Sequence, residues 1–223
     1  MQRIFYPLGM NSSFTGTAQL KANMGDPNEI ENIFLPVRKK ANKVTSTNWG
    51  IGFNNLYNSA GGIITTADDI AKWLIMQIQE GEYHGKRLLK IETVREMHKS
   101  QVVVEPLVIG SNEYDWVKLH NPRLHFITYG LGWFLYDYNG LKVSEHTGLG
   151  TNRCSILIIP EENLCIAACT NNVTSTPDGF RDMRIVSALK LKLIDYYTDA
   201  PETDWSSLFL KIHEDEVDRA KSK

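Results

Sequence analysis

A chain of 223 residues with 42% hydrophobic and 22% charged side chains can bury a substantial core. Its formal net charge of −2 gives no electrostatic reason to expect nucleic acid or an anionic membrane as partner. No apolar run approaches the roughly 18 residues of a membrane span, and the first ten residues lack the basic and long apolar regions of a signal peptide.

The run Ile4-Phe5-Tyr6-Pro7-Leu8-Gly9-Met10 is amphipathic at once and reads as the end of a helix entering a turn. The chain is therefore expected to begin in the middle of a structure. Residues 11–58 are rich in Asn, Ser, Thr, Gly and Lys, and read as long surface connections with at most one short strand. A connection of that length is usually functional or attached to something outside it. Ser59-Ala60-Gly61-Gly62 is a tight bend. The clearest helix follows. Thr66 is placed to cap it, Asp69 stands at capping-box spacing, and Ile70, Trp73, Leu74, Gln77 and Ile78 recur at helical spacing. Only Gln77 breaks that apolar face, and Gly81 is a natural stop. A second helix is expected from Ile91 to His98, and residues 100–128 give no assignment.

From Tyr129 onward the pattern is of strands. Trp133-Phe134-Leu135-Tyr136 precedes Asn139-Gly140, the dipeptide of a two-residue hairpin turn. The strand after it ends on His146-Thr147-Gly148, a ring, a hydroxyl and a glycine together. Cys154–Ile159 and Leu164–Cys169 are apolar at almost every position, so helices should cover both faces of the sheet. A third helix is expected over 180–197, with Phe180, Met183, Val186, Leu189, Leu193 and Tyr197 as its buried stripe. The fold class is α/β (α+β): an antiparallel sheet flanked by helices, incomplete at the N-terminus. Residues 1–200 form the domain portion, and 201–223 a charged helical tail or linker. The three cysteines read as buried free thiols. Cys165 and Cys169 share a strand face about 13 Å apart, too far to bridge.

Six pieces occur in one order: Phe5 to Met10, Ser59-Ala60-Gly61-Gly62 with Thr65 to Asp69, Tyr129-Gly130-Leu131-Gly132-Trp133, His146-Thr147-Gly148, Ile159-Pro160-Glu161-Glu162, and Thr170-Asn171. This order resembles the serine beta-lactamase-like family: class C beta-lactamases, D-alanyl-D-alanine carboxypeptidases and related esterases. The resemblance covers roughly residues 1–200. It implies acyl transfer through a serine ester, with a Ser-x-x-Lys nucleophile motif, a Tyr-x-Asn or Ser-x-Asn motif, and Lys-Thr-Gly or His-x-Gly on the sheet edge. His146-Thr147-Gly148 matches the third. The N–H of Leu149 would then be half of an oxyanion hole, a donor whose loss costs about 3–4 kcal/mol of transition-state stabilisation.

The first two motifs belong ahead of residue 1 in the family's order. Ser187-Ala188-Leu189-Lys190 has Ser-x-x-Lys spacing but lies mid-helix after the His-Thr-Gly, and reads as two polar residues on a helix. Ser46-Thr47-Asn48 has Ser-x-Asn spacing in the wrong place. Asn152-Arg153-Cys154-Ser155 stands where the family has a glycine and an aromatic, and Arg153 is expected to face solvent.

The expected function is therefore a serine hydrolase fragment that carries the His146, Thr147, Gly148 and Leu149 cleft wall without the nucleophile, and is inactive alone. The alternative is a non-catalytic relative binding a peptide or cell-wall-like ligand. The resemblance implies a small-molecule or peptide acyl substrate and no metal or cofactor. A complementing N-terminal segment, or self-association through an exposed sheet edge, is the further partner expected. The family is largely periplasmic or secreted, which leaves the compartment of this chain open.

Overall fold

The computed structural model describes residues 1–27, 29–31, 33–35, 37–40, 43–46, 58–104, 124, 126–148, 152–172 and 183–222. Its centre is a six-stranded sheet of β5 (Val102–Val103), β6 (Thr128–Tyr129), β7 (Phe134–Tyr138), β8 (Leu141–Gly148), β9 (Arg153–Ile159) and β10 (Leu164–Thr170). The order is β10-β9-β8-β7-β6-β5, every neighbouring pair antiparallel. Each strand thus pairs with its neighbour in sequence. Asn139 (φ 52°) and Gly140 (φ 83°) both take the left-handed region. That is the type I′ turn whose twist suits a two-residue hairpin, and it sets the β7–β8 register. The turn between β9 and β10 is a short 3₁₀ helix, Pro160–Glu162, which leaves Ile159 opposite Leu164.

Helices cover both faces, as the double-sided apolarity of β9 and β10 requires. On one face, Tyr136, Tyr138, Val143, Leu157, Ile159 and Ile166 pack against α6 (Arg184–Tyr197) and α7 (Trp205–Lys221) through Leu191, Ile194, Trp205 and Phe209. On the other, Leu135 and Ile158 pack with Trp133 and with Leu74 of α4 (Ala67–Ile78), with Met97 of α5 (Ile91–Met97) at the margin. Burying a side chain of this size contributes roughly 1.5–3 kcal/mol.

The start of α4 follows its sequence signal in part. Thr66 Oγ1 accepts from the Asp69 N–H at 3.2 Å. The Asp69 carboxylate accepts instead from the Ser12 N–H, the Ser13 hydroxyl and Lys72, and Lys72 also donates to the Gly9 carbonyl. Burial alone would raise the Asp69 carboxyl, but these hydrogen bonds hold it below its ordinary pKa. An antiparallel bridge between Phe14 and Ile64 completes the attachment of the first fourteen residues, including the short helix α1 (Phe5–Leu8).

Residues 11–58 hold more structure than a set of connections. They include α2 (Thr17–Met24), the β1 (Val37–Lys40)–β2 (Lys43–Ser46) hairpin, and the start of α3 (Asn58–Gly61), a single helical turn where a bend over Ser59–Gly62 is expected from the sequence. The buried stripe of α6 is also shifted from the sequence expectation. Val186 is buried, but Leu189 is 50% and Tyr197 58% exposed, while Ser187, Lys190, Leu191, Ile194 and Asp195 face inward. Phe180 lies outside the described residues.

Gln77, the polar break in the apolar face of α4, lies 3.0 Å from His98 Nε2. His98 also stacks on Trp133 at 4.7 Å. Burial first, and the nearby Lys142 ammonium second, push the His98 pKa down to about 4. A histidine held neutral by folding binds fewer protons than it does unfolded. Its contribution is therefore complete above about pH 6.5 and is lost as pH falls toward 4, up to about 3 kcal/mol. Urea unfolding across that range should show the slope, and His98→Gln should flatten it; an unchanged slope in the variant would contradict the assignment.

Candidate active-site wall

β8 pairs with β9 as His146↔Ile156, Thr147↔Ser155 and Gly148↔Cys154. The strand therefore delivers His146, Thr147 and Gly148 together to one end of the sheet. His146 is half-buried, with its ring centroid 6.0 Å from Phe134 and 6.4 Å from Tyr129. Burial raises the Tyr129 phenol above its ordinary pKa, so that ring stays neutral at physiological pH. Thr147 is buried and Gly148 exposed. A Cβ built on Gly148 would meet only Cys154 Cβ, at 3.9 Å, an ordinary contact. Among the described residues, neither a positive φ nor tight packing requires glycine there. Leu149, the expected oxyanion donor, lies outside the described residues, as do Thr47 and Asn48.

Two asparagines frame this end. Asn171 Nδ2 donates to the Leu35 carbonyl at 2.9 Å, and Asn152 Nδ2 to the Phe34 carbonyl at 3.2 Å. The Val37 N–H donates to the Asn171 carbonyl at 2.8 Å. Phe34, Leu35 and Val37 thus lie beside the wall, neighbours the sequence did not reveal.

Behind the wall is a buried polar cluster that the sequence did not indicate. Glu145 is 1% exposed, and Lys190 Nζ, fully buried, lies 2.6 and 2.8 Å from its two carboxylate oxygens. Tyr136 and Ser155 donate to the same carboxylate at 2.5 and 2.7 Å. Burial raises the Tyr136 phenol well above its usual pKa, and the Glu145 charge adds to that. Burial also lowers the Lys190 ammonium below its usual pKa despite the facing carboxylate. Desolvation is thus the larger effect at that lysine, as expected for a buried ion pair. Lys190 is accordingly a core residue held by Glu145, rather than one of two incidental polar residues on a helix.

Two further readings are corrected. Cys154 and Cys169 form a disulfide, with Cα atoms 4.1 Å apart, and Cys165 alone is free. The β9–β10 register makes them direct cross-strand partners, at the close spacing a disulfide needs. Burial raises the Cys165 thiol to about 11, so it stays protonated at neutral pH. Arg153 is 2% exposed, not solvent-facing, because its position on β9 shares the pleat of buried Ser155 and Leu157. Among the described residues no group of three or more His, Cys, Asp or Glu side chains could hold a metal ion, and no helix is long and apolar enough to cross a membrane.

A family model described as Beta-lactamase matches residues 1–190. A comparison with curated proteins gives no match. Among solved structures, the D-stereospecific amidohydrolase from Streptomyces sp. is 18% identical with a TM-score of 0.48, over 77% of this chain and 42% of that one. The beta-lactamase/D-alanine carboxypeptidase from Pseudomonas syringae is 15% identical with a TM-score of 0.52, over 91% of this chain and 52% of that one, a likeness of fold. The chain spans about half the length of these structures. With the antiparallel sheet, its flanking helices and the family match over residues 1–190, the chain belongs to the beta-lactamase family.

Proposed function

We propose that this chain supplies the His146-Thr147-Gly148 wall of a serine hydrolase acyl-transfer cleft and does not carry out acyl transfer alone. The observation that carries the reading is the strand end itself: Gly148 is exposed and, among the described residues, is glycine without a conformational or packing reason, next to half-buried His146. An acyl group laid along β8 would meet the exposed Gly148 there. The Leu149 N–H is the proposed oxyanion donor.

The burial of Ser187 and Lys190, the chain's Ser-x-x-Lys pair, supports the proposed inactivity. Lys190 is buried against Glu145, and Ser187 is 1% exposed. Neither can reach a substrate. With p-nitrophenyl acetate, the isolated chain should show no burst and no turnover above background. A stoichiometric burst would overturn the reading.

The sheet's end strand supports a further part of the proposal. Among the described strands β10 pairs only with β9. Its Ala167 and Cys169 are exposed, and so are Ile185, Leu189 and Tyr196 on the neighbouring α6. An unpaired edge beside apolar surface invites another strand, from a complementing segment or from a second copy. The isolated chain should elute as oligomers on a sizing column, and a sharp monomer peak would contradict this.

A further inference from the structure

β8 is the strand that must place the wall, yet it is poorly specified by hydrophobicity. Its sequence, Leu141-Lys142-Val143-Ser144-Glu145-His146-Thr147-Gly148, offers two large apolar side chains, Leu141 and Val143. They share a face with Glu145. A strand with so few apolar contacts is prone to slip, and a slip of one residue turns every side chain to the other face. A slip of two keeps the faces, so alternation alone does not oppose it.

The Glu145 carboxylate opposes both. Its direct cross-strand partners, Phe134 and Leu157, offer no donor. Its diagonal neighbours do: Tyr136 lies opposite Val143, and Ser155 opposite Thr147. These two and Lys190 bring donors from β7, β9 and α6 onto one carboxylate. A one-residue slip would drive the carboxylate into the apolar layer of Leu74 and Ile158. A two-residue slip would carry it about 7 Å along the strand, out of reach of Lys190. Either takes the buried carboxylate away from the Lys190 ammonium.

We propose that Glu145 and Lys190 are positioning residues: their buried contact fixes the register of β8 against β9, the β7 side being set by the Asn139-Gly140 turn, and with it the place where His146, Thr147 and Gly148 are presented. This deepens the reading of that strand end as a cleft wall, but its test uses no acyl ligand. A failure to bind or cleave substrate would therefore leave the result intact.

The decisive variant is E145M/K190M in the 223-residue chain, which removes both charges at similar volume. By NMR it should fold, yet show doubled or broadened His146 and Gly148 signals. Its 144–148 amides should exchange about tenfold faster relative to those of β9 than in the parent chain. A merely stabilising pair would instead change exchange throughout the sheet in proportion. One sharp set of signals, with parent cross-strand contacts between positions 145 and 157, would overturn the proposal. Should the double variant not fold, Ser155→Ala decides. Doubled 146–148 signals with weakened contacts between positions 145 and 157 support register control, and one sharp set with the parent contacts overturns it.

Discussion

Lys190→Met is expected to lower the stability of the chain by about 3–5 kcal/mol in urea unfolding. The lysine's side chain is fully buried, and its removal takes from the Glu145 carboxylate, 1% exposed, an ammonium that lies 2.6 and 2.8 Å from its two oxygens. The loss comes from weakening the compensation of a buried charge rather than from the intrinsic worth of the pair. Replacing both partners with apolar side chains removes that carboxylate as well, so E145M/K190M should recover most of the stability. A single-variant loss under about 1 kcal/mol would show that the buried pair is not a charged contact of the kind described.

Trp205→Ala should cost a similar amount, about 3–5 kcal/mol. Trp205 is 1% exposed and fills the core between α6 and the sheet. Its indole N–H donates to Asp195 Oδ2 at 2.6 Å, and Asp195 also accepts from the Tyr138 hydroxyl. The variant therefore opens a cavity and removes a donor from a buried carboxylate. Trp205→Phe should restore much of the packing but not that hydrogen bond, giving an intermediate loss. Were Trp205→Ala neutral, the helix starting at Trp205 would be an appendage, and a boundary at 200 would stand. The burial of Trp205 and Phe209 argues for a helix joined to the core.

What could be read from the sequence was local. Asn139-Gly140 declared its hairpin because two adjacent positive φ angles suit few other dipeptides. Thr66 marked the start of α4 because a cap bonds within its own turn. The misses were non-local. The α6 stripe was placed on Leu189 and Tyr197 because a polar Lys190 and Asp195 do not look buried; they are buried because Glu145, Tyr138 and Trp205 meet them across the core.

The disulfide was within reach. Pro160 to Asn163 turns the chain between Ile159 and Leu164, and five steps outward along the hairpin Cys154 faces Cys169. The same-strand spacing of Cys165 and Cys169 carries no information about a partner on the adjacent strand. The wall itself was recognisable as a motif, whereas Glu145, one residue before it, carried no signal until the strand was paired on both sides.

The most direct test of the central claim is intact-mass analysis of the isolated chain after incubation with a fluorescent penicillin. A wall without a nucleophile should leave the mass unchanged and the protein unlabelled. One covalent acyl adduct per chain would show that a residue of this chain is the nucleophile, and would contradict the account.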